Sequence, residues 1–263
     1  MATVNEILTF LETLAPRHMK MDWDNVGLLC GSRRTEVSRI LVALDPFEGV
    51  CREAVDFGAQ LIVTHHPLIF QALKSVTDET SIGRSIQLLC REGISAINAH
   101  TNLDCAPGGV NDRLAAALGL ENIEVIDPMG VDETGRAWGL LRKGTVEEQP
   151  LSDFLPSVKS ALGCEGLRFV DTGNPVRKVA VGGGACASEI MDAVKAGCDT
   201  FVTSDVKYNQ FWDAYDLGLN LIDAGHFHTE NPVTACLAEK IATAFPDVEV
   251  KISETHSDCV KFY

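Results

Sequence analysis

The chain has 263 residues, 46% of them hydrophobic and 22% charged, which is the composition of a folded globular protein and excludes wholesale disorder. Its 22 basic residues stand against 37 acidic ones, and the net charge of −15 disfavours broad binding to a phosphate backbone, so nucleic acid is not an expected partner. No apolar run approaches the roughly eighteen residues of a membrane span, and nine scattered cysteines without a C-x-x-C pair read as the reduced thiols of a cytoplasmic protein.

The first element is predicted as an amphipathic helix. Thr3-Val4-Asn5-Glu6 has the spacing of a capping box, and Val4, Ile7, Leu8, Leu11 and Leu14 recur at helical intervals up to Pro16. Glu6 and Glu12 interrupt this stretch, so it is not expected to act as a targeting segment. Short apolar strands then alternate with helices: strand 39–44, helix 48–57, strand 61–64, helix 84–91, strand 95–99 and helix 110–118. The turn-rich stretch 121–150, with Gly130, Gly135 and Gly144, reads as a passage between two lobes. Beyond it the pattern resumes with strand 178–181, helix 187–196, strands 200–203 and 220–224, helix 229–245 and strand 248–252. Such alternation predicts an α/β protein with largely parallel sheets. The expected lobes are residues 1–125 and 126–263, with 229–263 able to pack back on the first.

The two lobes are expected to be related. With a shift of 139, Val42, Ala54, Val55, Gly58, Val63 and Thr64 fall on Val181, Ala193, Val194, Gly197, Val202 and Thr203 without a gap. With a shift of 126, His100 and Asp104 fall on His226 and Glu230, and Ile97-Asn98-Ala99 matches Ile222-Asp223-Ala224 after a one-residue gap. Each lobe thus carries a buried strand ending in polar residues, followed by a His and a carboxylate four positions apart. Ligands of open α/β sheets gather outside the carboxyl ends of the strands, so a metal site in a cleft between the lobes is the expectation.

The residue types point to the same chemistry. Neutral imidazoles and carboxylates are what borderline divalent metals prefer. Adjacent residues of a regular strand face opposite ways, but Pro67 ends the ladder and frees both His65 and His66 to turn to one side. Taken singly, each group has a plain reading: an exposed His-His pair, a solvated Asp104 in a Gly/Pro-rich loop, a Glu230 favouring a helix start. Their convergence is what nominates them. Three histidines and two carboxylates exceed the needs of one four-coordinate ion and suit two, about 3.5–4 Å apart. Such a pair activates water and polarises a substrate oxygen, so hydrolysis is the natural reaction class, with metal storage, sensing or structure as the alternative.

Four ordered motifs, Asp24-Asn25-Val26-Gly27-Leu28, Thr64-His65-His66-Pro67-Leu68, Ala99-His100-Thr101-Asn102-Leu103-Asp104 and Asp223-Ala224-Gly225-His226-x-x-Thr229-Glu230, resemble the Nif-three-like dinuclear metal-centre family, also named type 2 GTP cyclohydrolase I. The resemblance implies two divalent ions (Zn, Fe, Mn or Ni) held by His65, His66, Asp104, His226 and Glu230, and a ring-shaped homohexamer. It further implies water attack at C8 of a guanine nucleotide, a small anionic substrate, with His100 or His228 moving protons. In that assignment His100 neighbours the ions rather than binding them. Two departures stand out: Asn209 follows Lys207-Tyr208 where the family often has His, and His228 occupies a position that is often small. A non-catalytic metal-handling or regulatory protein is the competing reading.

Weaker signals have two readings each. Gly182-Gly183-Gly184 suits close backbone packing or a phosphate cradle, though it lacks the dinucleotide and Walker fingerprints. Asp45 suits a helix cap or a carboxylate orienting a metal-bound His. Arg33 and Arg34 are expected to be solvated, or to gather anions.

Overall fold

The computed structural model describes residues 2–263. Contacts group the chain into two compact units, Met1–Leu103 with Thr234–Ser257, and Asp104–Val233 with Asp258–Tyr263. Each unit is an α/β body with its own sheet and core.

In the first unit the opening helix, Val4–Leu14, begins at the expected capping box. The Glu6 amide donates to the Thr3 hydroxyl at 3.3 Å, and the Thr3 amide donates to the Glu6 carboxylate at 2.7 Å. Five strands follow the spatial order Glu249–Ile252, Arg39–Ala43, Leu61–Thr64, Ser95–Asn98 and Gly27–Cys30. The first three pairings are parallel and the last antiparallel. Leu61–Thr64 and Ser95–Asn98 are buried along their whole length, the continuous-run pattern of strands covered on both faces. Complete burial of Leu61, Ile62 and Val63 contributes roughly 1.5–3 kcal/mol per side chain before entropy is counted. The C-terminal strand Glu249–Ile252 joins this first sheet by pairing with Arg39–Val42.

The second unit has six strands in the order Arg168–Val170, Asn220–Asp223, Thr200–Thr203, Val176–Val181, Leu141–Gln149 and Glu121–Ile126. The three at the centre are parallel and the flanking pairs antiparallel. Here the structure corrects the reading of 121–150 as a passage, since it supplies two strands of the sheet. Their sequences, with charges at Glu121, Glu124, Glu147 and Glu148, are those of half-exposed strands and lack the apolar run of buried ones. The helices Leu151–Leu162 and Tyr208–Asp216 and the strands Gly27–Cys30 and Arg168–Val170 were likewise not anticipated.

The internal repeat is visible in the register. Val42 pairs with Val63, which pairs with Ile97; the equivalent row in the second sheet is Val181, Val202 and Ile222. Even irregular bonds recur: Ala99 N donates to Thr64 O at 3.0 Å, and Ala224 N to Thr203 O at 2.9 Å. Gly58 and Gly197, also equivalent, adopt φ of 71° and 75° after the helices Glu48–Phe57 and Ile190–Lys195. A side chain at that left-handed φ is strained, so glycine ends both helices. Two related lobes are therefore present.

Candidate metal centre

In the first unit the ladder stops at Thr64. His66 N donates to Leu44 O at 2.9 Å, the Thr64 hydroxyl donates to His66 O at 2.7 Å, and Pro67 follows. This breaks the alternation of faces, and the His65 and His66 rings lie 4.9 Å apart, centre to centre. His100, just past the neighbouring strand, completes the cluster, its ring 5.2 Å from His65 and 5.5 Å from His66. One ring nitrogen of each of the three lies within 4.8 Å of the others.

Each ring in this cluster is held by Nδ1. His65, fully buried, meets Ala99 O at 2.9 Å; His66 meets the Asp45 carboxylate at 2.6 Å; His100 meets Asp24 at 2.8 Å. With Nδ1–H donating to oxygen, the lone pair lies on Nε2, the arrangement found behind metal-binding histidines. Burial of Asp24 acts to raise its pKa, but bonds from His100 and Thr101 outweigh this and hold it at about 2. Asp45 is partly buried, which acts to raise its pKa, but donors on His256 and His66 keep it well below the usual carboxylate range. His256 Nε2 donates to the second Asp45 oxygen at 2.8 Å, giving a chain His66–Asp45–His256. Asp45 therefore orients a histidine; the cap position of the helix Glu48–Phe57 is Phe47.

In the second unit, His226 and Glu230 lie one turn apart on the short helix His226–Glu230. His226 Nδ1 meets the Asp205 carboxylate at 2.8 Å, and its Nε2 lies 3.1 Å from a Glu230 oxygen. Asp205 has φ of 53°, in the left-handed region that Asp enters more readily than most residues. Gly183 and Gly184 make room for this pair. A Cβ on Gly184 would stand 2.1 Å from a Glu230 oxygen, and one on Gly183 would stand 3.2 Å from its Cγ. Gly184 N is occupied by the Thr229 hydroxyl and Gly183 N by Asn111 Oδ1, so the stretch packs closely and is no phosphate cradle.

Asp104 is buried at 7% exposure on the helix Thr101–Cys105. Its carbonyl accepts from Asn111 Nδ2 at 3.3 Å, and the carbonyls of Cys105 and Ala106 accept from Arg142, itself fully buried and paired with Asp112. His228 faces elsewhere: its Nδ1 lies 3.2 Å from Leu162 O and its Nε2 3.3 Å from Asp258. Burial, with Asp104 and Glu230 nearby, pushes the Cys186 thiol well above its usual range, so it stays a neutral thiol. The orienting roles of Asp24 and His256, and the supporting roles of Asn111 and Arg142, were not legible beforehand, because no spacing rule links them to the groups they bond.

The family model of Duf34/NIF3 (NGG1p interacting factor 3) matches residues 2–259. The chain belongs to the Duf34/NIF3 family. A curated relative from Clostridium perfringens, named GTP cyclohydrolase 1 type 2 homolog, is 37% identical over 98% of this chain and 99% of its own length. One of the same name from Streptomyces coelicolor is 35% identical, covering 98% and 93%. The solved structure of a Bacillus cereus protein related to NIF3 superposes with a TM-score of 0.94 at 28% identity, covering 100% of this chain and 99% of that one. Among the described residues of this Duf34/NIF3 protein, no helix is long and apolar enough to cross a membrane.

The side chains present are of the kinds that hold a divalent metal. His226 Nε2 and the Glu230 carboxylate are both acceptors once Nδ1–H is given to Asp205, and two acceptors at 3.1 Å call for a cation or a proton. That separation suits neighbouring ligands of one ion with bonds of about 2.1 Å. Buried and partly buried His, Asp and Glu side chains of this family member could therefore hold a metal ion.

Proposed function

We propose that this protein is a two-metal hydrolase acting on a purine nucleotide, with His65, His66, Asp104, His226 and Glu230 as the ligands of two divalent ions. The observation that carries this is the clamping of Nδ1 on His65, His66 and His226 by oxygen acceptors, which puts the lone pair of each ring on Nε2, the kind of donor a divalent cation takes. The names of the relatives support the nucleotide substrate. When bound, the ions would supply water activation at neutral pH and stabilise developing negative charge on the substrate.

The chain's own residues do the rest. Asp45, Asp205 and Ala99 O fix ring orientation and tautomer. His100, tied by Asp24 through Nδ1, keeps one nitrogen to accept or return a proton, and we assign general acid–base work to it. His228 has both nitrogens engaged within the second unit, and we assign it to support. We further propose a cytoplasmic homohexamer.

The test is metal-reconstituted protein against a panel of nucleotides, with chelator-stripped protein beside it and elemental analysis of both. The expected outcome is up to two ions per chain and metal-dependent hydrolysis of a purine nucleotide. His100→Ala should keep the ions and lose roughly a hundredfold in rate. Two tightly bound ions with no turnover of any nucleotide would instead favour a metal-handling protein.

A further inference from the structure

Trp23 and Phe70 are large aromatic residues left 63% and 50% exposed, and they stand together. Their rings meet edge to face, 5.8 Å apart at 71°, and each lies close to His100, at 6.2 Å and 6.1 Å between centres. Single exposed apolar residues need no explanation, but two exposed aromatic rings in contact beside a cluster of histidines offer a surface of the kind planar ligands use.

Both rings are carried by loops that are fixed. Asp24, next to Trp23, has a fully buried side chain and takes the His100 Nδ1–H at 2.8 Å. Asn25 reaches across to the other loop, its Nδ2 donating to Ile69 O at 2.7 Å, one residue before Phe70. Three successive residues therefore present a ring, orient His100 and anchor the loop of the second ring. Rigid aromatics bind at little cost in conformational entropy.

We propose that Trp23 and Phe70 form the platform that receives a planar heteroaromatic ring, a nucleobase, beside His100. Edge-to-face contact takes the edge of one ring and one face of the other, and the 63% and 50% exposure of the pair leaves aromatic surface on which a base can stack. The platform rests on the hydrolase reading above for its role in turnover, but base binding does not require turnover. Trp23 and Phe70 are positioning residues: they hold the substrate ring, while proton transfer falls to His100.

The experiment is calorimetric titration of the metal-loaded protein with guanosine, with ribose 5-phosphate as the ring-free control, for wild type, Trp23→Ala, Trp23→Phe and Phe70→Ala. Light scattering and metal analysis accompany each variant. Stacking predicts guanosine binding weakened roughly 5- to 150-fold in each alanine variant. It also predicts substantial recovery in Trp23→Phe, with ribose 5-phosphate binding and metal content unchanged. In wild type, the emission of Trp23, identified as the component missing from Trp23→Phe, should shift on adding guanosine. Guanosine affinity unchanged in Trp23→Ala would overturn the platform, as would a change of assembly in that variant, which would make the rings a subunit contact. Base binding through Trp23 without turnover leaves the platform standing and removes the hydrolase reading; nucleotide turnover that is indifferent to Trp23→Ala does the reverse.

Discussion

Asp45→Asn is the sharpest probe of the proposed centre. Both Asp45 oxygens are used, one by His66 Nδ1 at 2.6 Å and one by His256 Nε2 at 2.8 Å, and the side chain is only 17% exposed. Asparagine keeps the volume but offers one acceptor and an NH2 group, so one imidazole N–H must face a donor or rotate away. Loss of a carboxylate behind a metal-binding histidine typically lowers affinity about 10- to 100-fold, or about 1.4–2.7 kcal/mol. With both oxygens engaged and little water to compensate, Asp45→Asn should fall in the upper part of that range. Asp205 serves His226 at 2.8 Å but is 52% exposed, and water can take over its role, so Asp205→Asn should cost about tenfold or less. Competition of the loaded proteins against a chelating indicator measures both, with thermal unfolding of the metal-free forms to separate affinity from folding. Affinity within about twofold of wild type in a folded Asp45→Asn protein, or a larger loss for Asp205→Asn, would refute the reasoning.

Three further outcomes are expected. Burial acts to raise the Glu53 pKa, but donors at Ser253, Glu254 and Thr255 hold it at about 2. Because that folded value lies below the unfolded one of about 4.3, its stabilisation is present at neutral pH and lost as pH falls from about 4 toward 2. Glu53→Gln should therefore lower urea stability by roughly 1–3 kcal/mol at pH 7 and by almost nothing near pH 2, and a penalty constant over that span would contradict this. Arg142→Met removes a fully buried guanidinium that bonds Asp112, Gly139 O and the carbonyls after Asp104. It should cost about 3–5 kcal/mol, read as a lower denaturation midpoint by the fluorescence of Trp138 and Trp212, and a loss below about 1 kcal/mol would count against the role. Gly184→Ala sets a Cβ against Glu230 at φ of 63°, so its metal content by elemental analysis should fall, and full retention of two ions would show that Glu230 has room to move.

The sequence by itself determined a good deal of this protein. Continuous apolar runs such as Leu61–Val63 and Phe201–Val202 identified the buried parallel strands, since strands covered on both faces must be apolar throughout. Thr3 and Glu6 identified the first helix, because a capping box is a local device. The repeat was legible because equivalent ladder positions, Val42 and Val181 or Val63 and Val202, retained the same side chains. Donor types that metals accept, converging beyond the ends of apolar strands and falling within the family motifs, nominated His65, His66, Asp104, His226 and Glu230.

Only tertiary structure decided the rest. Strands Glu121–Ile126 and Leu141–Gln149 are held by partners in the sheet, so their charged, half-exposed sequences carried little local signal. His256 reaches Asp45 across 211 positions, and Asp24 reaches His100 across 76. A hydrogen bond depends on where two atoms meet in space, and sequence spacing encodes that only within a helix turn or a strand pair. For the same reason no spacing in the sequence pairs Trp23 with Phe70; the loops beside His100 bring their rings together.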